Sequence, residues 1–493
     1  MTNDHPQSPP GTDPPPGTDP RTAAAAAAAP GSGSTPGTGT AAASGPGSTP
    51  GTAAAPGPRS TPGAGTGTAS PPRAGTEPPS LTGSPFDSDT FTSATFVTVG
   101  SGPYLALASV WLLTRVGMLL LLARDTLGIG GVGREVDLYH HWYAQFAHGT
   151  FPIGDATWQY PPGAGLVIMS PGLLPWLTYF QAFVALSLLA DAVIALALAR
   201  ADSARLTHGA WVWVCGLPLL LHLPLARYDV QTTALAVLAL LALGARSTAT
   251  RRLGGALAGI GAMVKVWPVL TLIGTPRGRT AREAWTAAAV AALALLATLA
   301  LFFSGPLGFL RQQGGRGIQI ESLFGTVLAL AGAGGTWPGR VEFRYGAFEY
   351  VGPYVSTLGH LALLLTVIAL GWLLLWRVHA DRWTPATPLD AAFAAVLLFT
   401  ATSRVISPQY MIWLLGLAAV CLTSRQTVMR PVALLLLPAA ALSSLAYPVL
   451  YDEVIAGTTQ GLAVMVVRNG LLLAAALLAA RRLWTSTVTA PTE

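Results

Sequence analysis

Apolar residues dominate the chain from about residue 100 onward, in runs long enough to cross a lipid bilayer. The first run, Pro103–Ala123, would form a helix about 31 Å long at about 1.5 Å per residue. Similar runs predict membrane helices at Leu174–Ala199, Trp211–Leu225, Val230–Ala245, Ala284–Phe303, Tyr354–Trp376, Leu389–Arg404, Tyr410–Leu422, Pro431–Leu450 and Gly461–Ala480. This pattern predicts an all-α, polytopic membrane protein.

One further apolar segment, Leu253–Gly274, is interrupted by Lys265 and Pro268. Arginines flank the segment on both sides, and cytoplasmic loops carry the excess of Lys and Arg. A single span would export one of these arginine clusters, whereas two short helices that meet near Lys265 keep every cluster inside. We therefore predict a broken hairpin, about twelve segments in all, and both termini in the cytoplasm.

This topology collects the unusual polar residues on the opposite, extracytoplasmic side. The loops expected there are 124–173, 226–229, the tip at Lys265, 304–353, 404–409 and 451–460. Irregular backbone near the membrane is tolerated where protein or a cavity covers it, so these loops are candidates for an active site.

Composition supports the membrane class and excludes others. Hydrophobic residues make up 52% of the chain and charged residues 10%, against about 25% charged residues in soluble proteins. The net charge of +6 is spread over loop arginines, which indicates membrane orientation and not nucleic-acid binding. Cys215 and Cys421 both fall in apolar segments, so neither a disulfide nor a metal site is expected. We predict no cofactor.

Three regions follow from the composition. Residues 1–95 are rich in Pro, Gly, Ala and Thr and are predicted to be a disordered cytoplasmic tail. Residues 96–483 form the membrane domain, and residues 484–493 form a short C-terminal tail.

Reactive and aromatic groups concentrate between Glu135 and Gly165. Asp137 follows the first span and can serve as a general base, or it can be a solvated partner of Arg134. Asp155 is a second candidate base, although its Gly-Asp-Ala context suits a turn. The adjacent histidines His140 and His141 are a weak metal signal.

Three cations are candidates for binding a phosphate. Lys265, the single lysine of the chain, lies between two apolar halves, where an ionisable group is expensive and suggests function. Arg227 can bind a phosphate or pair with Asp229, and Arg404 can offer a planar fork or anchor a helix at the interface. Separately, Arg115 and Asp191 are expected to form a buried pair, and Arg316–Ala331 is expected to form an interfacial amphipathic helix.

The segment Asp137-Leu-Tyr-His-His-Trp-Tyr, followed by Gly149-Thr-Phe-Pro-Ile and Tyr160-Pro-Pro-Gly, resembles the first extracytoplasmic loop of glycosyltransferase family 87. The resemblance implies a C-type fold and an inverting transfer of a hexosyl group, mannosyl by analogy. The donor would be a polyprenyl-phosphate sugar, the acceptor a lipid or glycan, and the location the plasma membrane among its lipids.

The same resemblance makes Asp137 the base, and we expect Lys265, Arg227 and Arg404 to hold the donor phosphate. We expect the substrate to contact His141, Tyr160, Asp229, Gln231, Arg316, Glu321, Gln409 and Tyr410. Two other readings remain: a lipid or sugar transporter or flippase, which would use the charges along a pathway, and a ligase that moves a preassembled glycan.

Overall fold

The computed structural model of the protein describes residues 102–127, 131–201, 208–312 and 316–488. The predicted tail at 1–95 lies outside the described residues. The helices are α1 Gly102–Arg124, α2 Arg134–Ala147, α3 Ala164–Met169, α4 Tyr179–Ala201, α5 His208–Gly216, α6 Asp229–Leu243, α7 Thr248–Val264, α8 Arg279–Phe302, α9 Phe309–Gln312, α10 Leu323–Ala333, α11 Val355–His379, α12 Thr387–Thr402, α13 Tyr410–Cys421, α14 Arg430–Ser444, α15 Tyr451–Ala456 and α16 Thr459–Thr487.

The predicted all-α, polytopic architecture is confirmed. Within the described part of the chain, six helical segments are long and apolar enough to cross a membrane: α1, α4, α8, α11, α14 with its π-helical continuation to Val449, and α16. Several of the other predicted spans are shorter apolar helices. The total of about twelve crossings therefore stays a prediction. The last helix runs to Thr487, past the predicted domain boundary at 483.

Two predicted spans differ from the observed helices at positions where proline intervenes. The helix predicted from Leu174 begins only at Tyr179, because a 3₁₀ turn at Ser170–Leu173 and a short loop precede it. The span predicted at Trp211–Leu225 ends as an α-helix at Gly216 and continues as two 3₁₀ turns, Leu217–Leu220 and Leu223–Ala226. Each turn has a proline in its first residues, where the missing N–H does least harm.

The interruption predicted at Lys265 is present. Helix α7 ends at Val264, Lys265 is extended, and a 3₁₀ turn at Trp267–Leu272 follows. Helix α7 packs closely on α8, because a Cβ at Gly255 or Gly259 would lie within about 2.3 Å of backbone oxygens on α8. These contacts fix α7 and, at its end, the lysine.

A small antiparallel sheet lies between α9 and α11. Its strands are β1 Ile318–Gln319, β2 Arg340–Arg344 and β3 Ala347–Val351, in the order β1-β3-β2. Positive φ angles at Tyr345 and Gly346 turn the β2–β3 hairpin, as a two-residue turn requires. The prediction of an amphipathic helix at Arg316–Ala331 is therefore wrong in its first part. The segment before α10 contains β1, which pairs with β3, and α10 starts only at Leu323, capped by Ser322.

A buried polar network ties α1, α4 and α5 together, as the sequence predicted for Arg115 and Asp191. The Arg115 guanidinium donates to both oxygens of Asp191 at 2.7 Å, and both side chains are 2% exposed. The indole nitrogens of Trp111 and Trp213 donate to the same carboxylate at 2.7 Å. Asp191 thus accepts four hydrogen bonds from three side chains on two neighbouring helices.

We expect Asp191→Asn to destabilise the protein strongly. The change leaves the Arg115 charge buried without its counter-ion, which costs about 3–5 kcal/mol in comparable cases. Unfolding of the purified protein in detergent, followed by tryptophan fluorescence, measures this loss. Asp452→Asn, at an exposed acid on α15, is the matched control and should unfold like the wild type; equal stability of the two variants would contradict the role of the network.

Candidate active site

Helix α2 presents one acidic residue to the protein and one away from it. Tyr139, Trp142 and Phe146 are buried at a spacing of three and four residues, so they define the inward face of the helix. Glu135 lies on this face, one turn before Tyr139. Asp137 lies about 200° further round the helix and is exposed. The helix therefore turns Glu135, and not Asp137, towards the core.

The inward face of α2 packs on the aromatic loop that follows it. Trp142 makes edge contacts with Trp158 and Tyr160, with ring centroids 5.1 and 5.8 Å apart. The Trp142 indole donates to Asp155 at 2.8 Å, and the same carboxylate accepts from the backbone and hydroxyl of Thr157. Asp155 is thus occupied in shaping the loop, which disfavours it as a base.

Glu135 forms an ion pair with Arg227, which precedes α6. Tyr139 also donates its hydroxyl to Glu135 at 3.3 Å. Burial raises the pKa of Tyr139 well above its usual value, with Glu135 adding to the shift, so the phenol stays protonated. The carboxylate is therefore held in one orientation by two side chains from different elements.

Lys265 is bound by a second acid. Its ammonium donates to Asp229 at 2.6 Å, and the Trp413 indole donates to the same oxygen at 2.6 Å. Four rings surround the ammonium, with centroids 4.8 to 6.0 Å away: Tyr228, Trp413, Tyr160 and Tyr410. Cation–π attraction adds to the ion pair at such distances. We call Glu135, Arg227, Asp229, Lys265 and these four rings the polar cluster.

Close backbone contact brings the aromatic loop to the lysine. A Cβ on Gly163 would lie 2.6 Å from the carbonyl of Met263, two residues before Lys265. The Tyr-Pro-Pro-Gly segment therefore needs glycine at its end, since any side chain would push the loop off α7.

Two arginines lie beside the polar cluster: Arg316, just before β1, and Arg404, just after α12. Arg316 pairs with the buried Glu349 at 3.3 Å, and Arg404 donates to the Arg316 carbonyl at 3.1 Å. Burial, with the neighbouring Arg316 charge, lowers the pKa of Arg404. The backbone bond from Gln319 to the Arg404 carbonyl, 3.1 Å, holds the two segments together. Two guanidinium groups from different segments of the chain therefore lie close together at this edge of the site.

Glu321 extends the site towards α15 and α16. It is 2% exposed, and its backbone carbonyl accepts from Arg468 at 2.8 Å. Arg468 also donates to Ser443 at 3.0 Å. The Glu321 Oε2 atom and the Tyr228 hydroxyl are buried and, in the described residues, have no hydrogen-bond partner. Buried polar atoms of this kind are normally satisfied by water or a ligand.

The structure brings together most of the predicted site residues. Arg227, Asp229, Lys265, Tyr160 and Tyr410 belong to the polar cluster, and Arg316, Arg404 and Glu321 lie next to it. Three predicted residues have other surroundings: Asp137 is exposed, His141 contacts Gln145 at 3.0 Å on the exposed side of α2, and Gln231 donates to Ser187 at 2.9 Å. Gln409 is half-buried directly before α13.

Sequence reasoning missed Glu135, Glu349, Trp413 and Arg468. The helical phase of Tyr139, Trp142 and Phe146 would have singled out Glu135, and a lone arginine inside an apolar helix would have pointed to Arg468. Glu349 and Trp413 carry no such signal. Among the described residues, no group of three or more His, Cys, Asp and Glu side chains could hold a metal ion.

We expect Glu321 to make stability depend on pH. Burial raises its pKa to about 7 from an ordinary value of 4.5, with Arg468 and Arg227 opposing the shift. Between these two values the folded protein keeps a proton that the unfolded chain releases. The contribution of Glu321 to the free energy of unfolding is therefore fully present below about pH 4.5 and is lost as pH rises through about 7. The thermal midpoint should fall between pH 5 and pH 8, and Glu321→Gln should flatten the fall; parallel curves for both proteins would refute the assignment.

Comparison with known proteins identifies the class. The model of glycosyltransferase family 87 matches residues 158–408, half of the chain, so the protein belongs to this family and is a membrane glycosyltransferase. The resemblance seen in the sequence is thereby confirmed, although the match begins after Glu135 and Asp137. It spans Arg227, Asp229, Lys265, Arg316 and Arg404.

Among solved structures, the chain is similar to the crystal structure of ArnT from Cupriavidus metallidurans bound to undecaprenyl phosphate. The two share 15% sequence identity, the alignment covers 78% of each chain, and the TM-score is 0.40. No curated protein matches the chain.

Proposed function

We propose that this protein transfers a hexosyl group, mannosyl by family resemblance, from a polyprenyl-phosphate sugar to a lipid or glycan hydroxyl. The observation that carries the proposal is the juxtaposition of a held carboxylate, Glu135, with an arginine pair, Arg316 and Arg404, around a set of buried aromatic rings. Such a site offers a base for the acceptor and cations for a departing phosphate. By family resemblance the site faces the extracytoplasmic side of the plasma membrane.

The arginine pair suits the leaving group. When the bond between the anomeric carbon and the phosphate oxygen breaks, the polyprenyl phosphate gains negative charge. Preorganised donors that meet charge as it develops give the largest electrostatic benefit. Arg316 and Arg404 lie next to each other, and each guanidinium has the planar geometry that suits two phosphate oxygens.

Lys265 and Arg227 have a different place in the proposal. Both were expected to bind the phosphate directly, but each pairs closely with an acid of the polar cluster, Asp229 and Glu135. Arg316 also has a carboxylate partner, Glu349, at a longer distance of 3.3 Å. We assign them to holding these acids in place, and we assign direct phosphate contact to Arg316 and Arg404. The Tyr228 hydroxyl and the Glu321 Oε2 atom, for which the described residues provide no hydrogen-bond partner, are suited to sugar hydroxyls.

The base is an acid of α2. The acceptor hydroxyl gives its proton to the carboxylate while its oxygen attacks the anomeric carbon, and the phosphate leaves with the electron pair of the broken bond. The product therefore has the inverted configuration, as in other single displacements. We favour Glu135 over Asp137, because Glu135 faces the polar cluster and pairs with Arg227, whereas Asp137 is exposed.

A donor with two labels tests this function. The purified protein, reconstituted in lipid vesicles with a native lipid extract, is given polyprenyl-phosphate mannose labelled with ³H in the sugar and ³²P in the phosphate. A transferase separates the labels, with ³²P in free polyprenyl phosphate and ³H in a new product. A flippase moves both labels together across the bilayer, and that result would overturn the proposal. If only a lipid-linked oligosaccharide reacts, the protein is a ligase.

A further inference from the structure

Asp125, directly after α1, accepts three hydrogen bonds that join two separate parts of the chain. Its carboxylate accepts from the backbone amides of Val132 and Gly133, each at 2.7 Å, just before α2 begins. It also contacts the His222 Nε2 atom at 3.0 Å. These residues belong to the protein interior: His222 is fully buried, and Asp125 is about one quarter exposed.

The backbone around Asp125 is built for this contact. Asp125 has a φ of +37°, and Gly131 has a φ of +85°. A Cβ on Gly131 would lie 2.5 Å from the Asp125 Oδ2 atom, and one on Gly133 would lie 2.9 Å from it. Only glycine lets the carboxylate approach at both positions, and a strained conformation at a non-glycine residue persists only where other contacts hold it.

The two parts that Asp125 joins are those that supply the Glu135–Arg227 ion pair. The amides of Val132 and Gly133 lead into α2, and Glu135 lies in its first turn. His222 begins the 3₁₀ turn Leu223–Ala226, and Arg227 follows that turn directly. Glu135 thus follows the amides of Val132 and Gly133 by two or three residues. Arg227 is separated from His222 by the four residues of the 3₁₀ turn.

Hydrogen-bond chemistry fixes the role of each group. A carboxylate offers acceptors only, so the His222 Nε2 atom must carry the proton and donate. The Nδ1 atom of His222 is buried and has no partner in the described chain. Within the described chain the imidazole therefore makes one hydrogen bond, and its partner is Asp125.

We infer that Asp125 and His222 are positioning residues for the transfer reaction: they set the separation of the segments that bear Glu135 and Arg227. Neither touches substrate. The inference rests on the proposed function, since its consequence is a slower chemical step. A displacement of about 1 Å at a reacting group can lower the rate about 100-fold, so loss of the Asp125–His222 bond should affect kcat.

A matched pair of His222 variants tests this. His222→Gln places an amide N–H near the former Nε2 position, whereas His222→Phe keeps a ring of similar size and removes the donor. We expect His222→Gln to keep most of the wild-type kcat, and His222→Phe to lose at least about tenfold in kcat with an unchanged KM for the donor. Rates are referred to the folded fraction, measured by size-exclusion chromatography.

Hydrogen exchange at residues 131–139, followed by mass spectrometry, gives a readout that does not need activity. It should be faster in His222→Phe and near wild type in His222→Gln. If His222→Phe folds and has the kcat of the wild type, or if exchange is unchanged, the inference is wrong. If the wild type transfers no sugar, the proposed function fails and the catalytic consequence fails with it, while the exchange data still decide whether the contact holds the two segments. Asp125→Asn, which keeps one acceptor oxygen, should give intermediate exchange if His222→Phe does not fold.

Discussion

Glu135→Gln should lower the rate of sugar transfer by about 10²- to 10⁴-fold, the range for loss of a general base. Glutamine keeps the shape of the side chain and can still contact Tyr139, but it cannot accept the acceptor's proton. It also removes the counter-ion of Arg227, so rates are referred to the folded fraction. Because the base acts only during the reaction, the KM for the lipid donor should change little. Steady-state release of polyprenyl phosphate measures both parameters.

Asp137→Asn is the matched control for this prediction. The two acids are separated by one residue on α2, yet Asp137 points to the exposed side of the helix. Its variant should keep at least about a third of the wild-type rate, as exposed substitutions usually do. The opposite pattern, an active Glu135→Gln and an inactive Asp137→Asn, would restore the original assignment of the base to Asp137 and contradict the geometry.

Arg316→Gln and Arg404→Gln should each lower kcat by about 10²- to 10³-fold, the usual cost of one lost donor to developing charge. The effect should fall on kcat more than on KM, because the donor phosphodiester carries less charge than the departing phosphate. Arg340→Gln is the control: Arg340 lies on β2 of the small sheet and pairs with Glu342, but its side chain is 74% exposed. If all three variants lose activity equally, the arginine pair has no special role.

Variants of Lys265 distinguish two hypotheses: that this residue holds Asp229 in place, and that it binds the donor phosphate directly. If Lys265 bound the phosphate directly, its replacement would raise the donor KM. If it holds Asp229, then Asp229→Asn and Lys265→Gln should cause similar losses in stability and activity, and the double variant should be no worse than either alone. Such non-additivity is the signature of two residues in one interaction.

Much of the fold could be predicted because each membrane span depends on the residues of one continuous segment. A run of apolar residues predicts a helix wherever the bilayer is the solvent, and loop arginines predicted the break before Pro268. The start of α10 could not be predicted in this way. The residues from Arg316 to Glu321 have an amphipathic pattern, but pairing with β3, about thirty residues later, satisfies their backbone instead.

The candidate site was predictable in its cations and not in its partners. Lys265 and Arg227 are unusual for their positions, so the sequence points to them. That Asp229 meets Lys265, or that Trp413 donates to the same oxygen across 184 residues, depends on how the helices pack. That Glu135 and not Asp137 faces the core was within reach, because the helical phase of three aromatic residues distinguishes the two acids.

The anomeric configuration of the transferred hexose tests the central claim most directly, namely a single displacement at the anomeric carbon. The product of a reaction with a donor of defined configuration is isolated, and the coupling constants of its anomeric carbon and proton are read by NMR. The account predicts inversion relative to the donor. Retention would require two successive displacements and would contradict it.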